Sequence, residues 1–145
     1  MDDAPKPIDP RGPRFNQAVL TVGLLVGFLL DARVVVPVFA AVLFLGAAFG
    51  PRYGPFLRFY AEVVKPRLSP PADLEDPRPP RFAAAIGVGF LGAATVAFAV
   101  GAVTVGWVLA LIVAALAGLA AVTGICVGCE VYVVLARWRG VRLVA

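Results

Sequence analysis

Apolar residues in this chain gather into long unbroken runs instead of alternating with polar ones, and from Phe82 to Cys129 no charged residue occurs for 48 positions. Wound as one helix, that run would rise roughly 70 Å at ~1.5 Å per residue, over twice the hydrocarbon thickness of a bilayer. It must fold back once. The natural break is VGAVTVGW, Val100 to Trp107, rich in glycine and β-branched residues and closed by a tryptophan suited to a membrane interface. Two further apolar runs, Phe15 to Leu30 and Val34 to Phe49, flank the tripeptide DAR, each near the short limit for crossing a bilayer. The pattern predicts an all-α membrane protein with four transmembrane helices.

Composition agrees. The 145 residues are 61% hydrophobic, where about half is usual for a soluble domain. A cleaved signal peptide does not suit the first run, because LLDARVVV lacks a small-residue cleavage site and hydrophobicity resumes three residues later. Charge sets the expected orientation. Lys6, Arg11 and Arg14 precede the first helix; Arg52, Arg58, Lys65, Arg67, Arg78 and Arg81 lie between the second and third; Arg137, Arg139 and Arg142 follow the last. Only Arg33, beside Asp31, falls on the other side, so the positive-inside rule predicts a multi-pass protein of the bacterial inner (plasma) membrane with both termini cytoplasmic. The net charge of +4 is then met by an anionic inner leaflet, and no nucleic-acid partner is needed.

The linkers hide a repeat. DPRGPRF (Asp9 to Phe15) and DPRPPRF (Asp76 to Phe82) match at six of seven positions, 67 residues apart, and each directly precedes an apolar helix. The prolines Pro10 and Pro77 are expected to delay the helix, Arg14 and Arg81 to reach lipid phosphate or another anion, and Phe15 and Phe82 to enter the hydrocarbon edge. Any cytoplasmic helix entry favours such residues, but duplication is the fuller reading: two similar helical hairpins related by an axis along the membrane normal. The expected segments are a cytoplasmic N-terminal stretch 1–14, a first hairpin 15–50, a cytoplasmic loop 51–81, a second hairpin 82–136 and a cytoplasmic tail 137–145. Within the loop, Phe56, Phe59, Tyr60, Val63 and Val64 recur at helical spacing opposite Arg58, Glu62 and Lys65. This predicts a short amphipathic helix over about 55–65 in the headgroup plane. The proline-rich remainder before Asp76 reads as an extended linker.

Little chemistry is available. There is no histidine, the only serine (Ser69) lies among prolines, and no ionisable side chain falls inside the apolar runs, which leaves Cys126, Cys129 and Glu130 in GICVGCEVY. If the last helix starts at Trp107 and continues with a bend, Cys126 lies ~28 Å along it and Cys129 ~33 Å, near the cytoplasmic boundary. Gly124 and Gly128 thin the backbone there, permitting close approach or a local break. Several readings stay open: small packing residues; a thiol–disulfide or persulfide relay; Cu(I) held by the two thiolates; or a transport role. Against the relay stands the expected position near a helix C-terminus, where the dipole raises a thiol pKa and an i, i+3 disulfide is strained. Glu130 stands where covalent haem attachment needs histidine, and no cofactor is predicted.

Taken together, IDPRGPRFNQ, EDPRPPRFA and GICVGCEVY resemble the bacterial family called domain of unknown function 4395, from Ile8 to about Arg139. The resemblance implies a small integral membrane protein. It marks Cys126, Gly128, Cys129 and Glu130, with Arg14, Phe15, Arg81 and Phe82, as characteristic residues. It also implies association with a cytoplasmic thioredoxin-like or rhodanese-like protein. Quinone-linked disulfide-generating membrane enzymes likewise place a CxxC in a four-helix bundle, but carry a second cysteine pair that this chain lacks. The expectation carried forward is a membrane-boundary dithiol accepting electrons or sulfur, with Glu130 as proton acceptor or orienting charge. The rival is a non-enzymatic permease or scaffold subunit, for instance for a sulfur-containing anion. Four short helices are small for a transport path, so a homodimer or a complex is the expected assembly.

Overall fold

The computed structural model describes residues 6–50 and 53–142. The start of the expected N-terminal segment, Arg52 with its neighbour, and the last three residues of the tail lie outside the described residues. The described residues are all-helical apart from one isolated backbone bridge. Helix α1 runs Arg11–Leu29 and α2 Val35–Phe49. A short α3, Pro55–Phe59, continues into a π-helical turn, Tyr60–Val64, and a 3-10 turn, Lys65–Arg67. Then follow α4 (Arg78–Ala99), α5 (Val103–Thr123) and α6 (Val127–Trp138).

Two helices, α4 with 22 residues and α5 with 21, are long and apolar enough to cross a membrane, where the sequence pattern predicted four. Helix α2 is apolar but has 15 residues, and α1 begins inside its polar box, which dilutes its apolar character.

The boxes start the helices instead of delaying them. Asp9 accepts the Arg11 N–H at 2.9 Å, and Asp76 accepts the Arg78 N–H at 2.9 Å. Pro13 in α1 and Pro79 and Pro80 in α4 occupy the opening turn, where backbone N–H groups have no intrahelical acceptor and proline costs nothing. Both aspartates are buried, Asp76 in a two-pronged pair with the Arg78 guanidinium and Asp9 accepting the Tyr60 hydroxyl at 3.3 Å. Burial, and then the neighbouring Asp9 carboxylate, push the Tyr60 phenol above its usual pKa, so it stays a donor.

The two halves meet at the boxes. The Ile8 N–H donates to the Glu75 carbonyl at 2.8 Å and the Glu75 N–H returns to Ile8 at 2.9 Å. Ile8 and Glu75 are themselves 67 residues apart, so equivalent positions of the two repeats pair with each other. A reciprocally bonded antiparallel pair is locally two-fold, and the pseudo-axis of the fold passes through it. The packing obeys that axis. Helix α1 packs on α5 as α4 packs on α2, and α3 folds back on α1 as α6 folds back on α4. Equivalent residues are buried together: Leu24 with Leu91, and Leu43 with Ala110. Phe15 packs on Tyr60 (ring centroids 5.7 Å apart) as Phe82 packs on Tyr132 (5.3 Å). The repeat unit is therefore three helices, one more than the expected hairpin. The loop helix conforms to the amphipathic expectation, with Arg58, Glu62 and Lys65 exposed, yet Tyr60 is buried against α1.

At the end opposite the boxes, the expected break is a turn at 100–102, with Gly101 at φ +85°. Trp107 sits just inside α5, buried, with its indole N–H donating to Asp31 at 3.1 Å and its ring edge-on to Phe28 and Phe98.

Two expectations follow. A variant with Ile8→Cys and Glu75→Cys in a Cys126→Ser, Cys129→Ser background will cross-link under mild oxidant, because a hydrogen-bonded antiparallel pair spaces its Cα atoms by ~5.5 Å, within disulfide reach. Gel mobility after tryptic cleavage reads it; two unlinked halves would refute the axis. The Asp31 carboxyl is held below the ordinary carboxylate value of 3.8 by hydrogen bonds from Arg33 first and the Trp107 indole next. A depressed carboxyl contributes stability above its unfolded pKa and loses it as pH falls through the folded one. With Trp138→Phe leaving Trp107 as sole reporter, its emission should hold steady down to pH 3.8 and change below it.

Candidate functional site

The last apolar run does not continue as one bent helix. Helix α5 stops at Thr123, and Gly124 closes it in the left-handed region at φ +77°, its N–H bonded to the Ala120 carbonyl at 2.9 Å. A left-handed cap favours glycine on conformational grounds. The Arg14 guanidinium lies against its open side, where a Cβ would displace that flexible side chain. The Thr123 hydroxyl accepts the Ile125 N–H at 3.2 Å and turns the chain outward. Cys126 is then extended (φ −90°, ψ 108°) and serves as the N-cap of α6, its sulfur accepting the Cys129 N–H at 3.3 Å.

This corrects the expected position near a helix C-terminus. The CxxC pair occupies a helix N-terminus, Cys126 at the cap and Cys129 in the first turn. The two cysteines form a disulfide, with Cα atoms 5.1 Å apart, inside the 4.4–6.8 Å range such bonds take. With an extended residue at the cap, an i, i+3 bridge needs no distortion of helical turns. The end of a helix where N–H groups lack partners favours negative charge, so once reduced a thiolate is stabilised at Cys126. The physical objection raised by the sequence is thereby removed.

Gly128 seats this helix. A Cβ there would come within 2.8 Å of the Ala83 Cβ and 3.0 Å of its Cα, so α6 lies almost against the α4 backbone just after the second box. Glu130 stands exposed in the first turn of α6, on a shallow outer groove with Val131, Val134 and Trp138. It does not share the surface that Cys126 borders.

That surface is a cavity of about 140 Å³ at the box end of the bundle, on the pseudo-axis. Equivalent residues of the two halves line it: Pro13 and Pro80, Asn16 and Ala83, Gln17 and Ala84, Leu20 and Gly87. Cys126, Val127 and Gly128 form part of the wall. Asn16 and Gln17, the two amides that end the IDPRGPRFNQ motif, had not been read as site residues; their place beside a box was the available signal.

The two box arginines lie at corresponding places but are used differently. The Arg81 guanidinium donates to the Ala47 carbonyl at 3.0 and 3.2 Å and to Ala48 at 3.2 Å, closing the C-terminal end of α2. Arg14 reaches Gly124, at the C-terminal end of α5, and its side chain is exposed. The lipid or anion contact expected of Arg81 has to share the guanidinium with the α2 carbonyls.

A family described as a domain of unknown function (DUF4395) matches residues 8–137. The chain belongs to this family. The match spans both boxes and the cysteine pair, so the whole two-fold unit lies within the family's extent. No curated protein and no solved structure matches the chain.

Gly128→Val will destabilise the docking of α6, by about 1–3 kcal/mol as for other overpacked contacts. Thermal unfolding of the purified protein measures this, and an unchanged midpoint would mean that α6 is not seated on α4.

Proposed function

We propose that this DUF4395 protein is an integral membrane thiol–disulfide oxidoreductase whose Cys126–Cys129 pair exchanges with a thiol protein at the membrane face carrying the boxes. The observation that carries the reading is the placement of Cys126 as the N-cap of α6, with Cys129 one turn on. In the reduced protein the Cys126 thiolate attacks a partner disulfide; a mixed disulfide forms and one partner sulfur leaves as thiol. Cys129 then attacks the Cys126 sulfur, restoring the bond seen here and releasing the second partner thiol. The reverse sequence oxidises a partner dithiol. The proton that Cys129 gives up passes to the leaving partner thiolate, since Glu130 opens onto another surface of α6.

The membrane arrangement is proposed with it: α1, α2, α4 and α5 as four spans, with both termini in the bacterial cytoplasm. Twelve of the 13 basic residues lie at or near the box end of the sequence elements, and only Arg33 at the other. Helix α2, ~22 Å long, is short for the ~30 Å hydrocarbon core, a mismatch that a bilayer meets by local thinning. Its equivalence to α5 across the pseudo-axis supports a common environment for both. The partner suited to the site is a cytoplasmic thioredoxin-like or rhodanese-like protein.

The test is thiol-specific. In the reduced full-length protein Cys126 should alkylate about ten times faster than Cys129 near neutral pH, following its larger thiolate fraction. Cys129→Ser should trap a mixed disulfide with glutathione, and Cys126→Ser should not. Equal labelling of both cysteines, with no trapped adduct in either variant, sinks the reading in favour of cysteines that only pack.

A further inference from the structure

Helix α6 carries more apolar surface than the rest of the described chain covers. Gly128, Tyr132 and Ala136, spaced by four, share one side, and that side lies on α4. On a different side Val127, Val131, Val134, Leu135 and Trp138 form a second apolar stripe, and all five are exposed, Trp138 to 84%. The two charged residues of the helix, Glu130 and Arg137, stand seven positions apart, so they share a flank at the edge of that stripe. Helix α6 is thus three-sided, with one side on protein, one bare and apolar, and one polar. Two observations say what covers the bare side. The first is continuity. Helix α5, long and apolar enough to cross a membrane, leaves Val108, Ile112, Leu119 and Val122 exposed along one face. Ile125, in the turn after it, is exposed and lines the same outer groove as Val131, Val134 and Trp138, so the bare surface of α5 runs on into that of α6. The second is charge. Arg137, Arg139 and Arg142 are exposed within six positions at the far end of the stripe, against the single acid Glu130. An apolar stripe ending in tryptophan and arginines has the composition of a headgroup contact. A further span is ruled out by length, because 12 residues rise ~18 Å against a hydrocarbon core of ~30 Å.

We propose that α6 is a membrane-surface helix whose bare stripe lies on anionic phospholipid of the inner leaflet, at headgroup level, with the flank of Glu130 and Arg137 toward water. The inference rests on the reading of α5 as a span, and goes beyond it because that reading leaves the position of α6 open. Acyl chains cover the valines and Leu135, Trp138 sits at the boundary, and the three arginines meet lipid phosphate. Buried apolar area and attraction to anionic lipid together hold such a helix on the bilayer. A second copy of the chain suits the stripe less well, since in a two-fold pair this net-positive patch would meet itself, whereas an anionic leaflet complements it. The arrangement reaches the cysteines. Cys126 is the N-cap of α6 and Cys129 lies in its first turn, so a helix laid on the leaflet holds the disulfide at the bilayer surface. A protein that exchanges with it then has to approach along the plane of the membrane.

Electron paramagnetic resonance on the full-length protein in liposomes of phosphatidylethanolamine and phosphatidylglycerol tests this. Spin labels are placed at Val131→Cys, at Val134→Cys and, in α5, at Ile112→Cys. Each is the only cysteine in a Cys126→Ser, Cys129→Ser background, where serine at 126 keeps a side-chain acceptor for the N-cap. Collisions with oxygen, which concentrates in lipid, and with a nickel chelate, which stays in water, report depth. The expected result is a deep label at 112 and labels at 131 and 134 that favour oxygen, at or just below phosphate level. Replacing phosphatidylglycerol by phosphatidylcholine should raise nickel collisions at 131 and 134 by about five-fold, as the attraction of the arginines is lost. A label at 112 that is deep while those at 131 and 134 meet nickel freely overturns the inference and leaves the membrane arrangement standing. Labels at 131 and 134 shielded from both reagents, with spin–spin broadening between copies, assign the stripe to a second copy and overturn it equally. Unchanged collisions in phosphatidylcholine overturn the assignment to anionic lipid. All three labels in water remove the inference and the membrane arrangement together.

Discussion

The arrangement depends on two backbone hydrogen bonds. Ile8 and Glu75 exchange N–H and carbonyl across the middle of the molecule, and because they are the same position in each repeat, this pair fixes the register of one half against the other. Everything at that end of the bundle follows from it. The boxes start α1 and α4 side by side, the helix entries bring Arg14 and Arg81 to the ends of α5 and α2, and the space left on the axis becomes the cavity. A shift of register by one residue would set Ile8 against a non-equivalent position and undo the match between the two halves.

The fold was legible where it depends on apolar runs and local motifs. The duplicated box is visible as letters, and the helix limits near Leu30, Phe49 and Val100 follow from polar tripeptides and glycine turns that any hydropathy profile registers. The break at Gly124 was not legible, for a physical reason. It lies inside an apolar stretch in which several glycines recur, and only the left-handed conformation of this one ends the helix. The span count differs for a related reason: α1 is helical through its box and α2 is short, so length and composition alone single out α4 and α5.

The site shows the same division. Cys126 and Cys129 stood out as the only cysteines, but the helix end they occupy did not, and with it the sign of the helix dipole acting on them. Spacing could not decide that; the left-handed Gly124 does. Glu130 looked like part of one motif with the cysteines, yet the helical turn carries it to another surface. Asn16 and Gln17 were overlooked because an amide near the end of an apolar run looks like the edge of a span, and only the other half of the molecule turns that edge into an interior wall.

The pairing of Ile8 with Glu75 also bears on ancestry. Two copies of a half-length chain, one helical triplet each, would join through an isologous interface in which this position meets itself. Such a dimer must carry everything twice. Joined into a single polypeptide, the two copies are free to differ, and they do: the third element of one half is a short turn of helix built around Tyr60, and that of the other bears the cysteines. A single polypeptide built on a repeated unit can thus carry one asymmetric cysteine pair, with the other half as its structural counterweight.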